Sequence, residues 1–492
     1  MIFHVKAPFL LCCLLLACAR ESAPHAAAAP PERVTEAPPR LSPQVIIDDP
    51  RLLASIEEQV ADFGVLALGA AQSGLANAQL ASLPAHRELF APIERDLHAL
   101  TANDPQAGVS VRGHAHRTFD VRWLRAESAR FRLIAIANRM DRRAFDRDGC
   151  GETRLIYRLR YTQGEVSRLP FTIALELRQG GDCAEQARRW QRPESLLADG
   201  GPLQRPSREQ LVQLALNVQA VRWPSAVRPD LGGHAEYLLR AFRWNGARYV
   251  PRALENTPDV VRLARERAAR DELATWLIAH ADEVDRGVAL LPERFLAEVV
   301  TSVTPRGFAR LANRPFAQLF APARFDKVPA GRFVRSPEAF VRRLDELSCN
   351  GCHQARSVAG FHQLGLDDEA PASNALAIGH SPHVHDDLAR RTAYVRALAE
   401  GRTPDDAQPF AEHARDEGVY GAHCGLGDPS FASWTCAAGL HCDGFEGDSV
   451  GACLGESAVG DPCEPARVGA NADPHRDRAR AQEPRACAGV CE

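Results

Sequence analysis

Fourteen cysteines are spread so unevenly along 492 residues that no single scaffold can use them all. Cys12, Cys13 and Cys18 crowd the N-terminus, Cys150 and Cys183 stand alone, and Cys349 and Cys352 form a close pair. The remaining cysteines run from Cys424 to Cys491. Each group calls for its own chemistry. The long stretches between them need no staples. With 45% hydrophobic and 25% charged residues, a chain of this length can bury several cores. The net charge of −4 leaves no broad basic field, so nucleic acid is not expected as a partner.

Residues 1–18 read as an export signal. Lys6 precedes a short apolar run, Phe9–Ala17, which is too short to span a bilayer. The end, Leu15-Leu16-Ala17-Cys18, resembles a bacterial lipobox, with Cys18 as the lipidated residue. Residues 19–45, rich in Ala and Pro, read as a tether without core-forming side chains. These features predict an exported lipoprotein, anchored in a membrane through its lipid and facing the periplasm or the cell surface. Export also places the later cysteines in an oxidising compartment.

Residues 46–333 read as one α+β domain. Asp49-Pro50 opens a helix over about 50–68, with Leu52, Leu53, Ile56 and Val60 at helical spacing. A strand-rich region follows from about 108 to 255. FRLIAIAN (131–138) reads as a buried strand, and 153–162 with 169–178 as a hairpin about Gln163-Gly164-Glu165. Folding it there brings Cys150 and Cys183 together beyond the open ends, so a disulfide is expected. Asn245-Gly246 marks a second hairpin. Thr257-Pro258-Asp259 caps a helix of about twenty-five residues, and another helix is expected near 291–303. Asp146–Glu152 resembles a calcium loop but lacks its ligand spacing, and reads as an acidic turn. His114 and His116 read as surface residues.

The chemistry concentrates at Cys349-Asn350-Gly351-Cys352-His353. C-x-x-C-H in an exported chain is the attachment motif of c-type haem. Two thiols on one turn can add to the two vinyl groups of one porphyrin, and the adjoining imidazole reaches the iron. Cys349 and Cys352 are thus the expected anchors and His353 the proximal ligand. Methionine, a common sixth ligand, is scarce: only Met1 and Met140 occur. His380, His383 and His385 stand where a distal ligand could return, whereas His362 is too near His353. Bis-histidine ligation is the first expectation, and a five-coordinate iron the second. Other readings of the cysteine pair are a disulfide, or zinc with His380 or His383.

With Ser336-Pro337-Glu338 opening one helix and His385-Asp386-Asp387 another, residues 334–403 resemble a small cytochrome c. That resemblance implies a compact all-α segment with haem c as cofactor and a redox protein as partner. A wider likeness spans about 125–365. FRLIAIANRMDRR, CGETRLIYR, FTIALELR and SCNGCHQARSVAGFH are similar to a group of secreted myxobacterial-type lipoproteins with a single late CxxCH, for which no activity is established.

Residues 404–492 hold Cys424, Cys436, Cys442, Cys453, Cys463, Cys487 and Cys491 among Gly, Asp and Ala. So few large apolar residues predict an irregular module held by disulfides, with its last cysteines unmatched in number. The expected whole is an α+β N-terminal body, a small all-α cytochrome c-like segment and a disulfide-rich irregular tail. Its expected work is electron transfer rather than catalysis. The rivals are a haem peroxidase-type enzyme and a haem-free surface scaffold.

Overall fold

A computed structural model describes residues 45–455, apart from 104–109, 112–113, 116, 146–147, 162–166, 223–234, 304–312, 352–364, 366–379, 381, 411–416, 419–422 and 445–447. The signal, Cys18, the tether, Cys352, His353, His362, Cys463, Cys487 and Cys491 lie outside the described residues.

A nine-stranded antiparallel sheet organises the molecule. Its strands are β1 (Ile46–Ile47), β4 (Arg117–Thr118), β5 (Ala129–Arg139), β6 (Glu152–Tyr161), β7 (Ser167–Arg178), β8 (Leu211–Arg222), β9 (Ala235–Trp244), β10 (Tyr249–Arg252) and β11 (Val299–Val303). A two-stranded ribbon, β2 (Ser110–Val111) with β3 (His114–Ala115), lies apart from it and takes in His114. The order is β1-β5-β6-β7-β8-β9-β10, with β11 also on β9 and β4 on β8. The hairpin around 163–165 is β6–β7, paired from Glu152↔Arg178 to Tyr161↔Ser167 with a shift in register between Arg158 and Arg160. Asn245-Gly246 turns β9 into β10, with Gly246 at φ +92° and the Asn245 side chain accepting from the N–H groups of Ala247 and Arg248.

The first face of the sheet is apolar by alternation. Phe131, Tyr157, Phe171, Leu216 and Phe242 point to one side, where they meet α1 (Pro50–Gln59), α2 (Phe63–Leu68), α3 (Asn77–Leu80) and α4 (Pro84–Asn103) in the largest core. The expected single helix over 50–68 is two. Asp49 caps α1 through the N–H groups of Arg51 and Leu52, and Asp62 caps α2 through that of Val65. A second cap inside a run of good spacing restarts the helix on a new axis.

Cys150 and Cys183 are joined, as the hairpin predicts, with Cα atoms 5.1 Å apart. Cys183 begins α5 (Cys183–Trp190), so the bond ties that helix to the turn before β6. Beyond β10 the expected long helix is three: α6 (Val260–Arg265), α7 (Arg267–Ala279) and α8 (Ala281–Arg286). Breaks at Glu266 and His280 let Leu263, Leu273, Leu277 and Val284 share one cluster. The helix expected near 291–303 is a 3-10 turn, Glu293–Phe295, followed by β11, whose β-branched Val299, Val300, Thr301 and Val303 suit the sheet edge beside β9.

The all-α cytochrome c-like segment is not found. Its two helices exist, as α10 (Pro337–Leu347) and α11 (Pro382–Ala399), but they belong to different cores. Phe340, Val341 and Leu344 of α10 pack with α6–α8, with α9 (Pro315–Leu319) and with Phe325. Tyr394, Val395 and Leu398 of α11 join the core of the sheet's first face, and Val384 packs against Ile134, Ala137 and Ile156. Helical spacing fixes which stripe is apolar, not which partner covers it.

The tail is not irregular either. β12 (Glu417–Gly418) pairs with β14 (Thr435–Cys436), and β13 (His423–Gly425), β16 (Val450–Gly455) and β15 (Leu440–Asp443) form a three-stranded sheet. Cys424–Cys442 and Cys436–Cys453 bind these strands together. Phe431, Trp434 and Val450 then enter the same cluster as α10, so the module is docked by its aromatics as well as stapled.

Candidate functional site

The second face of the sheet carries the site. On β5–β9 it presents Ala135, Ala137, Ala174, Ala215 and Ala241 among polar side chains such as Thr172 and Asn217, and all of these are buried. Small residues let a covering chain come close. Gly365, at φ +80°, does so: a Cβ there would sit 2.8 Å from Ile134 Cβ.

Cys349 stands at the β9–β11 end of this face, among Leu239, Ala241, Leu254 and Val300. A tight turn, Glu255-Asn256-Thr257, holds it. The Cys349 N–H donates to Thr257 Oγ1 at 2.8 Å, and the Thr257 hydroxyl donates to the Glu255 carbonyl at 2.9 Å. Cys349 Sγ lies 3.5 Å from that same carbonyl. Asn256 is the one described non-glycine residue with positive φ, at +52°. Its buried amide holds that conformation from both sides, Nδ2 donating to the Ala289 carbonyl and Oδ1 accepting from the Leu291 N–H, each at 2.9 Å.

The motif leaves α10 just as tightly. Ser348 Oγ donates to the Asp345 carbonyl and accepts from the Gly351 N–H at 3.1 Å. A Cβ at Gly351 would collide with the Asp345 carbonyl oxygen, so glycine is required between the two cysteines. The Asp345 carboxylate accepts from the N–H groups of Phe316 and Ala317 at 2.7 and 3.3 Å and from Arg314 at 3.2 Å. Burial pushes its pKa up to about 6 against the pull of Arg314 and those N–H groups. The Asn350 carbonyl accepts from Ser302 Oγ at 3.0 Å, whereas its buried Oδ1 has no hydrogen-bond partner among the described residues.

An ionic chain, half-buried at Glu255 and most deeply buried at Glu176, runs from this turn along the sheet. Arg142 donates to Glu255 at 2.5 Å and to Glu152 at 3.1 Å. Arg154 donates to Glu152 at 3.0 Å and stands 3.4 Å from Glu176. Burial works against the charge on Glu152, but Arg142, Arg154 and Arg139 outweigh it and hold that carboxyl below its ordinary range. Glu176 goes the other way: burial raises it, and Glu152 adds to the rise against Arg154. Beside this chain Asp141 accepts from Arg139 and Arg390, both at 2.9 Å, and Asp387 from Arg390 and Arg391 at 2.5 and 2.6 Å. That second group joins α11 to the end of β5.

Of the expected site residues, His380 lies by β1, with Nε2 2.9 Å from Asp48 Oδ2. A carboxylate there accepts, so this nitrogen carries the proton. His383 and His385 fall in the first turn of α11. Residue-level reading missed Glu255, Asn256 and the ionic chain. Thr257 looked like part of a helix cap, yet Asp259 alone caps α6, through the N–H of Arg262. Glu152 reads in sequence as the end of an acidic turn and Arg154 as one residue of a hairpin strand, with nothing local to name a partner for either.

In the tail, Cys424, Cys436 and Cys453 lie close enough to suggest a metal cluster, but all three are oxidised in disulfides and offer no thiolate. No family model, curated protein or solved structure matches the chain.

Proposed function

We propose that this chain is an exported lipoprotein that binds one haem covalently, for electron transfer at the periplasmic face or cell surface. Cys349 and Cys352 are the thioether anchors in this reading, and His353 is the proximal ligand. The observation that carries it is the Cys349–His353 motif itself, with its first cysteine clamped over an apolar floor. The donor set suits the group: two thiols and an imidazole in five residues, beside apolar side chains and an unpartnered buried amide oxygen on Asn350.

Bound haem supplies a one-electron Fe(III)/Fe(II) couple. The protein's own part is placement. Thr257 fixes the backbone of Cys349, and Gly351 permits the tight turn between the two cysteines that would hold the haem. Leu239, Ala241, Leu254 and Val300 give Cys349 an apolar floor. His380, whose Nε2 lies against Asp48, and His383 and His385 would be the candidates for the second iron ligand. The lipid on Cys18 would hold the chain at a membrane, and a redox protein would be its partner.

The test is to express the full chain with its signal beside a c-type haem maturation system. Covalent haem staining on a denaturing gel and a c-type pyridine haemochrome are expected, with both lost in Cys349→Ser/Cys352→Ser. A haem-free protein with both cysteines oxidised would overturn the reading and leave a disulfide-stabilised surface lipoprotein.

A further inference from the structure

Glu152 and Glu176 are cross-strand carboxylates that share Arg154, and their shares are unequal. Glu152 takes two bonds from Arg154 and one from Arg142. Among the described residues Glu176 has one ion pair, at 3.4 Å, and its side chain is only 5% exposed. Two buried carboxylates on one shared cation do not both stay charged cheaply, and the less well served one binds the proton. From Glu176 the contacts run through Arg154, Glu152, Arg142 and Glu255 to the carbonyl that faces Cys349 Sγ.

We infer that Glu176 is a proton-binding site coupled to the charge at the Cys349–His353 motif, taking up a proton as an electron arrives there. The coupling rests on the haem reading above; the proton site does not. The groups facing Glu176 are Glu152 and Arg154 on β6, Arg142 after β5 and Glu255 after β10. Arg139, Asp141, Arg390, Arg391 and Asp387 stand beyond them. The five arginines in this cluster match its five carboxylates, so the cluster is neutral when all are ionised. An electron added at the motif leaves a charge that this buried cluster cannot screen with water. The step balances as one electron from a one-electron donor protein and one proton from solvent, with the Glu176 carboxylate becoming a carboxylic acid.

Infrared titration of the full chain, unloaded and loaded, tests the proton site. A carboxylic acid band that survives well above the ordinary glutamate pKa, and disappears in Glu176→Gln, is expected. Its absence at every pH above that range overturns the site. On the loaded chain, the midpoint potential is followed against pH. Full coupling changes the redox equilibrium tenfold per pH unit, about 59 mV for one electron, and Glu176→Gln should flatten the slope. Reduced-minus-oxidised spectra of the wild-type chain should show the acid band growing on reduction, which guards against a misfolded variant. Haem attached with a slope unchanged in Glu176→Gln overturns the coupling and leaves the haem reading standing. No haem attached overturns the haem reading and the coupling together, and the band in the unloaded chain still decides the proton site.

Discussion

Single atoms decide how the motif is held. The Cys349 N–H donates to Thr257 Oγ1; Thr257 is buried and Cys349 half-buried. Thr257→Val keeps the shape and removes the acceptor. A loss of about 1–3 kcal/mol is expected, the cost of a buried unpaired donor. Thr257→Ser should restore most of it, and urea unfolding of the three proteins measures both. Asp345 gives a pH signature of known sign. Its folded pKa of about 6 lies above the ordinary aspartate value of 3.8, so its stabilising contribution is complete below about 3.8 and is lost as pH rises through 6. Relative to Asp345→Asn, the wild-type chain should therefore lose stability between pH 4 and pH 7. The change is on the order of 3 kcal/mol at most, from about 1.4 per pKa unit. A stability difference between the two proteins that stays flat over that range would refute the assignment.

Elements were readable from sequence wherever the cause was local. Alternation and the turn residues mark β5, β6, β7 and the Asn245-Gly246 hairpin, and the hairpin in turn places Cys150 beside Cys183. What escaped was set by distant chain. Val299–Val303 is a strand because β9 offers it an edge, and Glu152 is buried and Arg154 half-buried because Val384 of α11 and Gly365 pack over that face. The aromatics Phe431 and Trp434 are too sparse to suggest a core, and they find one only because Phe410 and α10 supply the rest. At this scale the Cys150–Cys183 bond should matter most. It closes a loop with a sequence separation of 33. Replacing both cysteines by serine should cost about 3–4 kcal/mol on the chain-entropy account. Differential scanning calorimetry with intact mass would read it, and a shift within error would show that the Gln179–Cys150 and Gly151–Gln179 backbone bonds already fix this corner.

Across the whole molecule, the two helices that bracket the motif answer to different neighbours. Residues 334–403 expressed alone should therefore stay largely unfolded. Circular dichroism should show little helix and no cooperative melt, because α10 leaves Phe340 and Leu344 uncovered and α11 leaves Tyr394 and Leu398. A sharp melting transition of that fragment would restore the view of an independent segment. The separation of α10 from α11 also bears on change in length. Residues 348–381 connect two abutments, each built by its own core, and are fastened along the way at Cys349, Gly365 and His380. Slack can be added between such fastenings at little cost, but shortening pulls on the two that flank it. A deletion between Gly365 and His380 should be felt first there, in the fit of Gly365 against Ile134 and in the His380–Asp48 contact.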